Sequence, residues 1–340
     1  MKKLQKEFEE FNESIKIGSE TTALREKREK LKSDIEEYFP DECDEYGITI
    51  KKSDLRFIHQ GSYKIGTTIS NPGKSVDLDY AVIFPLNIDE HTDPRKLKKA
   101  VKKALEIKSI RVPMIKEPCV TVAYYSDGNE TMHIDFPLYA EYKSVLYLAR
   151  GKEYSGDYKW ELADPEGLND YFLDEFKDKE QLKRIVRYIK KWKQIKYSNA
   201  TSSNEIPPSV GLTILACKNY SEYTDDGDDD LLSLYYTMKK IRDQFSVTYD
   251  SNGNVLSASI NCNLPVEPYS DVFYKMTASY MKTFYYRINM AIDNLREAVN
   301  LSEAHEAAKY VQRVLGDEFS IPPKETTATA THNKGEYSFG

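Results

Sequence analysis

The sequence predicts an α+β protein in which a group of strands precedes a set of helices. Between about residues 50 and 150, apolar runs of strand length alternate with polar turns. After about residue 165, apolar residues recur at helical spacing instead. The 340 residues are enough for two packed units. We therefore divide the chain into residues 1–165, residues 166–320 and a flexible tail, residues 321–340.

Helices are predicted before, between and after the strands. Two N-terminal helices carry apolar residues at helical spacing, namely Leu4, Phe8, Phe11 and Ile15, and then Leu24, Leu31 and Ile35. We expect both helices to pack behind the sheet. One helix near 94–107 interrupts the strands, and after a polar stretch near 151–164 others follow near 179–197, 208–221, 229–245, 269–298 and 302–315. A hairpin across 246–261 turns at Asn252-Gly253.

Asp77-Leu78-Asp79 is the most informative stretch of the strand region. Successive side chains of a strand point to opposite faces, so Asp77 and Asp79 project together, roughly 6–7 Å apart at the backbone. The run Tyr80-Ala81-Val82-Ile83-Phe84 that follows is too apolar for a solvated loop. Two like charges at the mouth of a buried strand are costly unless a cation neutralises them. Mg²⁺ suits this position because it takes oxygen ligands from carboxylates and substrate phosphates.

A third carboxylate, Asp135, lies on the second strand of a predicted hairpin. The turn of that hairpin is Ser126-Asp127-Gly128-Asn129. In a continuous sheet, Asp135 would lie beside the strand that carries Asp77 and Asp79. Either acid pattern alone is weak evidence, and so is Gly61-Ser62 upstream. Their ordered combination is far more specific.

This ordered pattern resembles the polymerase-beta-like nucleotidyltransferases. Within that superfamily it resembles the bacterial cyclic-oligonucleotide synthases, or CD-NTases, which are related to 2′-5′ oligoadenylate synthase and cyclic GMP-AMP synthase. The resemblance runs from about Phe57 to about Phe319. It implies a bilobed enzyme, with a mixed-sheet catalytic lobe in residues 1–165, a helical substrate-binding lobe in 166–320 and the active site in the cleft between them.

The resemblance also implies roles for the acids. Asp77 and Asp79 would hold two Mg²⁺ ions, with Mn²⁺ as the alternative. Asp135 would share one of these metals with the acceptor hydroxyl and help to deprotonate it. Gly61 and Ser62 would bind the donor nucleotide, with the Ser62 side chain on the triphosphate.

The second half supplies further residues to the implied nucleotide site. Arg187-Tyr188-Ile189-Lys190-Lys191-Trp192-Lys193 resembles the helix whose lysine reaches the triphosphate. We align that lysine with Lys190, and Lys191 is the alternative. Ser209 matches a serine that touches phosphate. The next position is Val210 where some relatives carry an aromatic residue, so stacking on a base must come from elsewhere.

The implied function is synthesis of a cyclic di- or trinucleotide from NTPs, with ATP and GTP as the expected substrates. Such products act as second messengers for a downstream effector in anti-phage signalling. A linear oligonucleotide product, or transfer to protein or RNA, is the first alternative. An inactive nucleotide-binding scaffold is the second, although the presence of all three acids speaks against it.

Composition favours a cytoplasmic enzyme. The net charge of −7 argues against a chain-wide nucleic-acid surface, so no activating DNA is expected. No run of 18 apolar residues and no secretory signal is visible, so neither a membrane partner nor export is expected. The four cysteines lack C-x-x-C spacing and are expected to be reduced core residues.

The composition of residues 321–340 predicts a disordered tail, because this segment could bury little apolar surface. Some synthases of the family are joined through their C-terminal residue to other molecules by a ubiquitin-ligase-like partner. The flexible stretch that ends on Gly340, with Tyr337 and Phe339 beside it, suits such a reaction. The resemblance therefore suggests Gly340 as the conjugated residue.

Overall fold

The computed structural model describes residues 3–17, 22–70, 76–106, 112–126 and 129–324. The predicted tail from residue 325 onward, with Gly340, lies outside these ranges. The strands are β1 (Arg56–His59), β2 (Val76–Pro85), β3 (Met114–Ile115), β4 (Cys119–Ser126), β5 (Asn129–Tyr142), β6 (Val145–Gly151), β7 (Tyr158–Ala163), β8 (Ser246–Tyr249) and β9 (Val255–Ser259). The helices are α1 (Gln5–Ile15), α2 (Thr22–Asp44), α3 (Gly61–Lys64), α4 (Pro94–Glu106), α5 (Pro165–Glu175), α6 (Glu180–Lys196), α7 (Ser209–Asn219), α8 (Asp230–Asp243), α9 (Ala278–Asn300) and α10 (Ala304–Leu315).

The main sheet is mixed, as predicted. Its strand order is β1-β2-β5-β4-β3, and β6 and β7 extend it from the far end of β5. Strand β5 runs parallel to β2 and antiparallel to β4 and β6. This long strand is therefore the common partner that brings β2 and β4 together around Asp135.

The two larger hydrophobic cores of the described residues belong one to the sheet and one to the helical half. One packs α2 and α4 against the sheet, with Phe39, Phe84 and Phe136 fully buried. The other joins the helices of the second half around residues such as Trp192 and Phe284. The α+β class is confirmed, with the sheet and the helical unit each built on its own core.

The prediction for the first N-terminal helix is wrong. Helix α1 packs in the helical core, where Phe8 and Phe11 contact the rings of Tyr188 and Phe319. The Tyr188 hydroxyl also donates to the Phe8 carbonyl at 2.8 Å. Helical spacing identifies which face of a helix is buried but not the element against which that face packs. Here the face packs against the rings of Tyr188 and Phe319. Helix α2 does pack on the sheet, as predicted.

Two segments also differ from the sequence prediction. The stretch near 151–164 contains strand β7, whose alternating Tyr158, Trp160 and Leu162 extend the sheet through β6. The helix predicted from residue 269 begins only at Ala278. The Asp271 carboxylate accepts hydrogen bonds from the backbone N–H groups of Cys262 and Phe273, which holds the earlier residues in a non-helical path.

Other features agree with expectation. The 246–261 hairpin is present as β8 and β9, with Gly253 at φ +81° in its turn. All four cysteines are buried and free. Among the helices of the described residues, none combines the length and the apolar character needed to cross a membrane.

Candidate active site

The three predicted acids come together through the register of β2 and β5. These strands are parallel, and Asp77 lies opposite His133 while Asp79 lies opposite Asp135. All four residues therefore share one face of the sheet, at the corners of a small rectangle. We call Asp77, Asp79, His133 and Asp135 the strand side of the cleft. His133 was not predicted, although its position two residues before Asp135 places it on the same face.

The surroundings of Asp79 disfavour its charged form. Burial, together with the nearby charges of Asp77 and Asp135, raises the pKa of the Asp79 carboxyl to about 8. Its carboxylate faces Gly61, where an added Cβ would lie only 2.3 Å from Asp79 Oδ2. Gly61 also has φ +69°, which favours glycine. Residue 61 is thus glycine because both its backbone and the adjacent acid require it.

Asp135 is held by Thr121 on β4 and by Lys116 just before that strand. The Thr121 hydroxyl, directly opposite on that strand, donates to Asp135 Oδ1 at 2.6 Å. Lys116 Nζ lies 3.4 Å from the same oxygen. The second carboxylate oxygen of Asp135 is not engaged by these two groups, so it is available to a substrate or a cation.

The strand side fits a divalent cation. Asp77, His133 and Asp135 each offer one ligand atom, and these atoms all lie within 4.8 Å of one another. Oxygen-rich sets of this kind suit hard divalent ions. The raised pKa of Asp79 shows the electrostatic cost of gathering the acids, which a bound cation would relieve.

The Gly61-Ser62 turn lies next to the acids. Helix α3 is a single turn that starts at Gly61, directly after β1. The Ser62 hydroxyl lies 3.1 Å from Thr68 Oγ1, and the Ser62 carbonyl accepts from the N–H of Thr67. Ser62 lines the cleft. Its hydrogen bonds with Thr67 and Thr68 hold the loop that follows it in place.

Lys190 reaches this loop from α6. Its Nζ donates to the carbonyl and to the hydroxyl of Thr67, each at 3.0 Å. Burial, with Lys193 and Arg187 nearby, lowers the pKa of Lys190 to about 7, although Asp79 and Asp77 oppose the shift. The alternative, Lys191, points elsewhere, since its Nζ contacts both carboxylate oxygens of Glu318 at 2.8 Å. Of the two lysines, only Lys190 faces the cleft.

Lys193 is a second cleft lysine that the prediction did not single out. Its Nζ donates to the Ser209 hydroxyl at the start of α7. Burial lowers the pKa of Lys193 to about 8. One helical turn separates it from Lys190, and that spacing in the sequence could have identified it. We call Lys190, Lys193 and Ser209 the helix side of the cleft.

Residues from both sides line a cavity of about 480 Å³. Its walls include Asp77, Asp79, Gly61 and Ser62 from the first half, and the whole helix side from the second half. Val210 lines it as well, as do the aromatic rings of Phe172 and Tyr197. This volume lies in the range of small-ligand sites.

A second cavity, of about 560 Å³, adjoins the first. The two share Gly61, Leu168, Asn169, Ile206 and Val210 as lining residues. The second cavity continues along the sheet past Tyr139 and Arg150 to the segment before α9. The cleft thus offers two neighbouring compartments that meet beside the Gly61-Ser62 turn.

Comparison with known proteins agrees with this geometry. The family described as the nucleotidyltransferase domain of DncV-like cyclic GMP-AMP synthases matches residues 55–139. This domain contains Gly61, Ser62 and all three predicted acids.

Relatives extend the likeness beyond this domain. A cyclic GMP-AMP synthase from Escherichia albertii is 27% identical over 186 residues, which is 52% of this chain but only 39% of that relative's length. The Vibrio cholerae cyclic AMP-GMP synthase DncV superposes with a TM-score of 0.68 at 16% identity, covering 94% of this chain and 98% of the other. CdnG, a CD-NTase from Bradyrhizobium diazoefficiens, gives 0.68 at 16% identity over 92% and 95%. The predicted resemblance to bacterial CD-NTases is confirmed, since the chain combines their domain with their fold.

Proposed function

We propose that this protein is a nucleotidyltransferase that joins NTPs into a cyclic di- or trinucleotide. One observation carries the proposal: a single cavity places Asp77 and Asp79 of a DncV-like domain opposite the lysines and serine of the helix side, and Asp135 lies beside Asp79 on the next strand. Carboxylates suit the reacting phosphate through a cation, and lysines suit the rest of the triphosphate.

The reaction we propose is attack of a ribose hydroxyl on the α-phosphorus of a bound NTP. A new P–O bond forms, the bond to the leaving pyrophosphate breaks, and the hydroxyl proton passes toward Asp135. Thr121 holds Asp135 for this role from the far side. Two Mg²⁺ ions held by Asp77, Asp79 and Asp135 would activate the hydroxyl and neutralise the charge on the phosphates. Lys190, Lys193, Ser209 and Ser62 bind the β- and γ-phosphates and so orient the leaving group.

The adjoining compartments support the use of two nucleotides. The compartment between the strand and helix sides would take the donor triphosphate, and the one that passes Tyr139 and Arg150 would take the acceptor. A second transfer, after the linear intermediate turns over, would close the ring. DncV has been solved with the linear intermediate pppA(3′,5′)pG and with GTP, which supports ATP and GTP as first substrates to test.

The resemblance supports a proposal for the biological role. We propose that the cyclic product is a cytoplasmic second messenger for an effector in anti-phage defence. Conjugation of Gly340 by a ubiquitin-ligase-like partner belongs to the same proposal, and mass spectrometry of the co-expressed pair tests it. Conjugates that persist after Gly340 is deleted would contradict that assignment.

Incubation with radiolabelled NTPs, singly and in pairs, tests the reaction. A closed ring resists phosphatase, a linear oligomer loses its terminal label, and label on protein or RNA indicates transfer to a macromolecule. Asp77→Asn serves as the matched inactive control. We expect phosphatase-resistant product from at least one NTP pair. Absence of any transfer under all pairs and with either Mg²⁺ or Mn²⁺ would favour the scaffold alternative.

A further inference from the structure

We propose that His133 is a nitrogen ligand of the metal site and makes that site prefer Mn²⁺ to Mg²⁺. This inference rests on the proposed function, because it concerns the cation that the strand side would hold. It adds a fourth residue to the three predicted acids and assigns it a consequence for metal choice.

The position of His133 is set by strand register. It lies directly opposite Asp77 on the neighbouring parallel strand. His133 precedes Asp135 by two residues, as Asp77 precedes Asp79. The imidazole therefore occupies the fourth corner of the rectangle and faces the same side as the acids. A register set by the buried sheet cannot slip without turning every apolar residue of β5 outward.

The ligand atoms themselves place His133 in the site. The three side chains whose donor atoms all lie within 4.8 Å of one another are Asp77, His133 and Asp135. His133 Nε2 lies 3.1 Å from Asp77 Oδ1, and the histidine side chain is only 19% exposed. Asp79 instead turns its carboxylate toward Gly61. A cation shared by Asp77 and Asp135 would therefore meet the imidazole.

An imidazole changes which cation the site favours. Mg²⁺ is a hard ion that takes oxygen ligands and gives up its water reluctantly. First-row transition metals, in contrast, accept histidine nitrogen readily. Mn²⁺, the first ion of the Irving–Williams series, shares the carboxylate chemistry of Mg²⁺, and it binds an imidazole nitrogen more tightly than Mg²⁺ does. A site of two carboxylates and one imidazole should thus bind Mn²⁺ more tightly than Mg²⁺.

Metal binding can be measured on the full chain without any turnover. Electron paramagnetic resonance follows Mn²⁺ titrated into the protein, alone and with a nonhydrolysable GTP analogue, and pulsed measurements detect a nitrogen bound to the metal. Competition with Mg²⁺ gives the ratio of the two affinities. The variant is His133→Asn, and the control is His91→Asn, since His91 contacts Trp160 through its backbone carbonyl. Thermal unfolding of each variant reports whether it folds, and His133→Gln replaces the asparagine variant if that one does not.

We expect histidine nitrogen coupling in the wild-type protein and in the control, but not in the His133 variant. Mn²⁺ affinity should fall about tenfold in that variant and Mg²⁺ affinity much less, as befits loss of one nitrogen ligand. No nitrogen coupling in the wild type under either condition, or an unchanged Mn²⁺ to Mg²⁺ ratio, would show that His133 only pairs with Asp77. Nucleotide transfer without nitrogen coupling would overturn this inference alone, whereas coupling without transfer would leave it standing and count against the proposed function.

Discussion

The strand side, through Asp77 and Asp79, and the helix side line the same cavity but are built in different ways. On the strand side, the two-residue period of β2 and β5 and a single register place all four side chains. On the helix side, Lys190 and Lys193 come from α6, and Ser209 comes from the start of α7. The comparison teaches that one register between two strands can align every residue of one side, whereas the other side needs two helices to pack together.

The pKa values of the two sides are also shifted in opposite directions. Burial raises the pKa of Asp79 to about 8 and lowers that of Lys190 to about 7. Each group partly offsets the shift of the other through its charge. Both sides therefore hold charges that the folded protein disfavours before ligands arrive, and a cation with a triphosphate would satisfy both together.

Removing an acid from the strand side should have the largest effect on turnover. We expect Asp77→Asn or Asp79→Asn to lower kcat by about three orders of magnitude, equivalent to about 4 kcal/mol of transition-state stabilisation. Steady-state nucleotide incorporation measures the loss. Incorporation at the wild-type rate by either variant would contradict the assignment.

The same two variants should differ in their effect on stability. The folded carboxyl of Asp79 releases its proton near pH 8, well above the ordinary value of 3.8, so unfolding releases a proton between these pH values. Stability of the metal-free protein should therefore fall as pH rises through this window. Asp79→Asn should remove much of that slope, and Asp77→Asn less, because the Asp77 side chain is 57% exposed. Thermal unfolding from pH 4 to pH 8 provides the comparison.

Asp135 tests whether orientation within the strand side matters. Asp135→Asn should lower kcat far more than it raises the NTP KM, because its contact with the acceptor hydroxyl forms in the transition state. Thr121→Val keeps the shape of the side chain but removes its 2.6 Å hydrogen bond to Asp135. We expect this variant to lower kcat about 10–100-fold. A main defect in NTP affinity, with a normal rate at saturation, would contradict the proposed role.

The two sides differed in how well the sequence predicted them. Asp77, Asp79 and Asp135 could be identified because a strand alternates its faces and the apolar run marks it as buried. His133 shares that pattern, but histidine on a strand is common and carries no signal by itself. On α6, helical spacing brings both Lys190 and Lys193 to the cleft, while the opposite orientation of Lys191 depends on Glu318, far away in sequence. The packing of α1 in the helical core depended in the same way on distant aromatic rings.

The helix side should show a smaller effect, on substrate affinity rather than on rate. Lys190→Ala should raise the NTP KM about tenfold or more, as expected for a charge-assisted contact of about 1.5–3 kcal/mol. Lys191→Ala is the matched control, since it removes a neighbouring lysine that contacts Glu318 instead. Equal changes in KM for the two variants would show that the α6 lysines act only through general charge.

The smallest expected effect is a pH dependence of nucleotide binding that arises from the helix side. Because the pKa of Lys190 is lowered to about 7, its binding-competent ammonium form is progressively lost as pH rises above that value. Lys193, with a pKa lowered to about 8, should add to the same trend. Affinity for a nonhydrolysable NTP analogue at constant Mg²⁺ should therefore weaken by about threefold per pH unit between pH 7 and pH 9. Calorimetric titration measures this slope without turnover.

Lys190→Met should bind more weakly at pH 7 but lose much of the slope, leaving the part that Lys193 contributes. A wild-type affinity that stays constant across this range would mean that bound phosphate keeps both lysines charged, and the strand side alone would then account for any pH dependence of the enzyme.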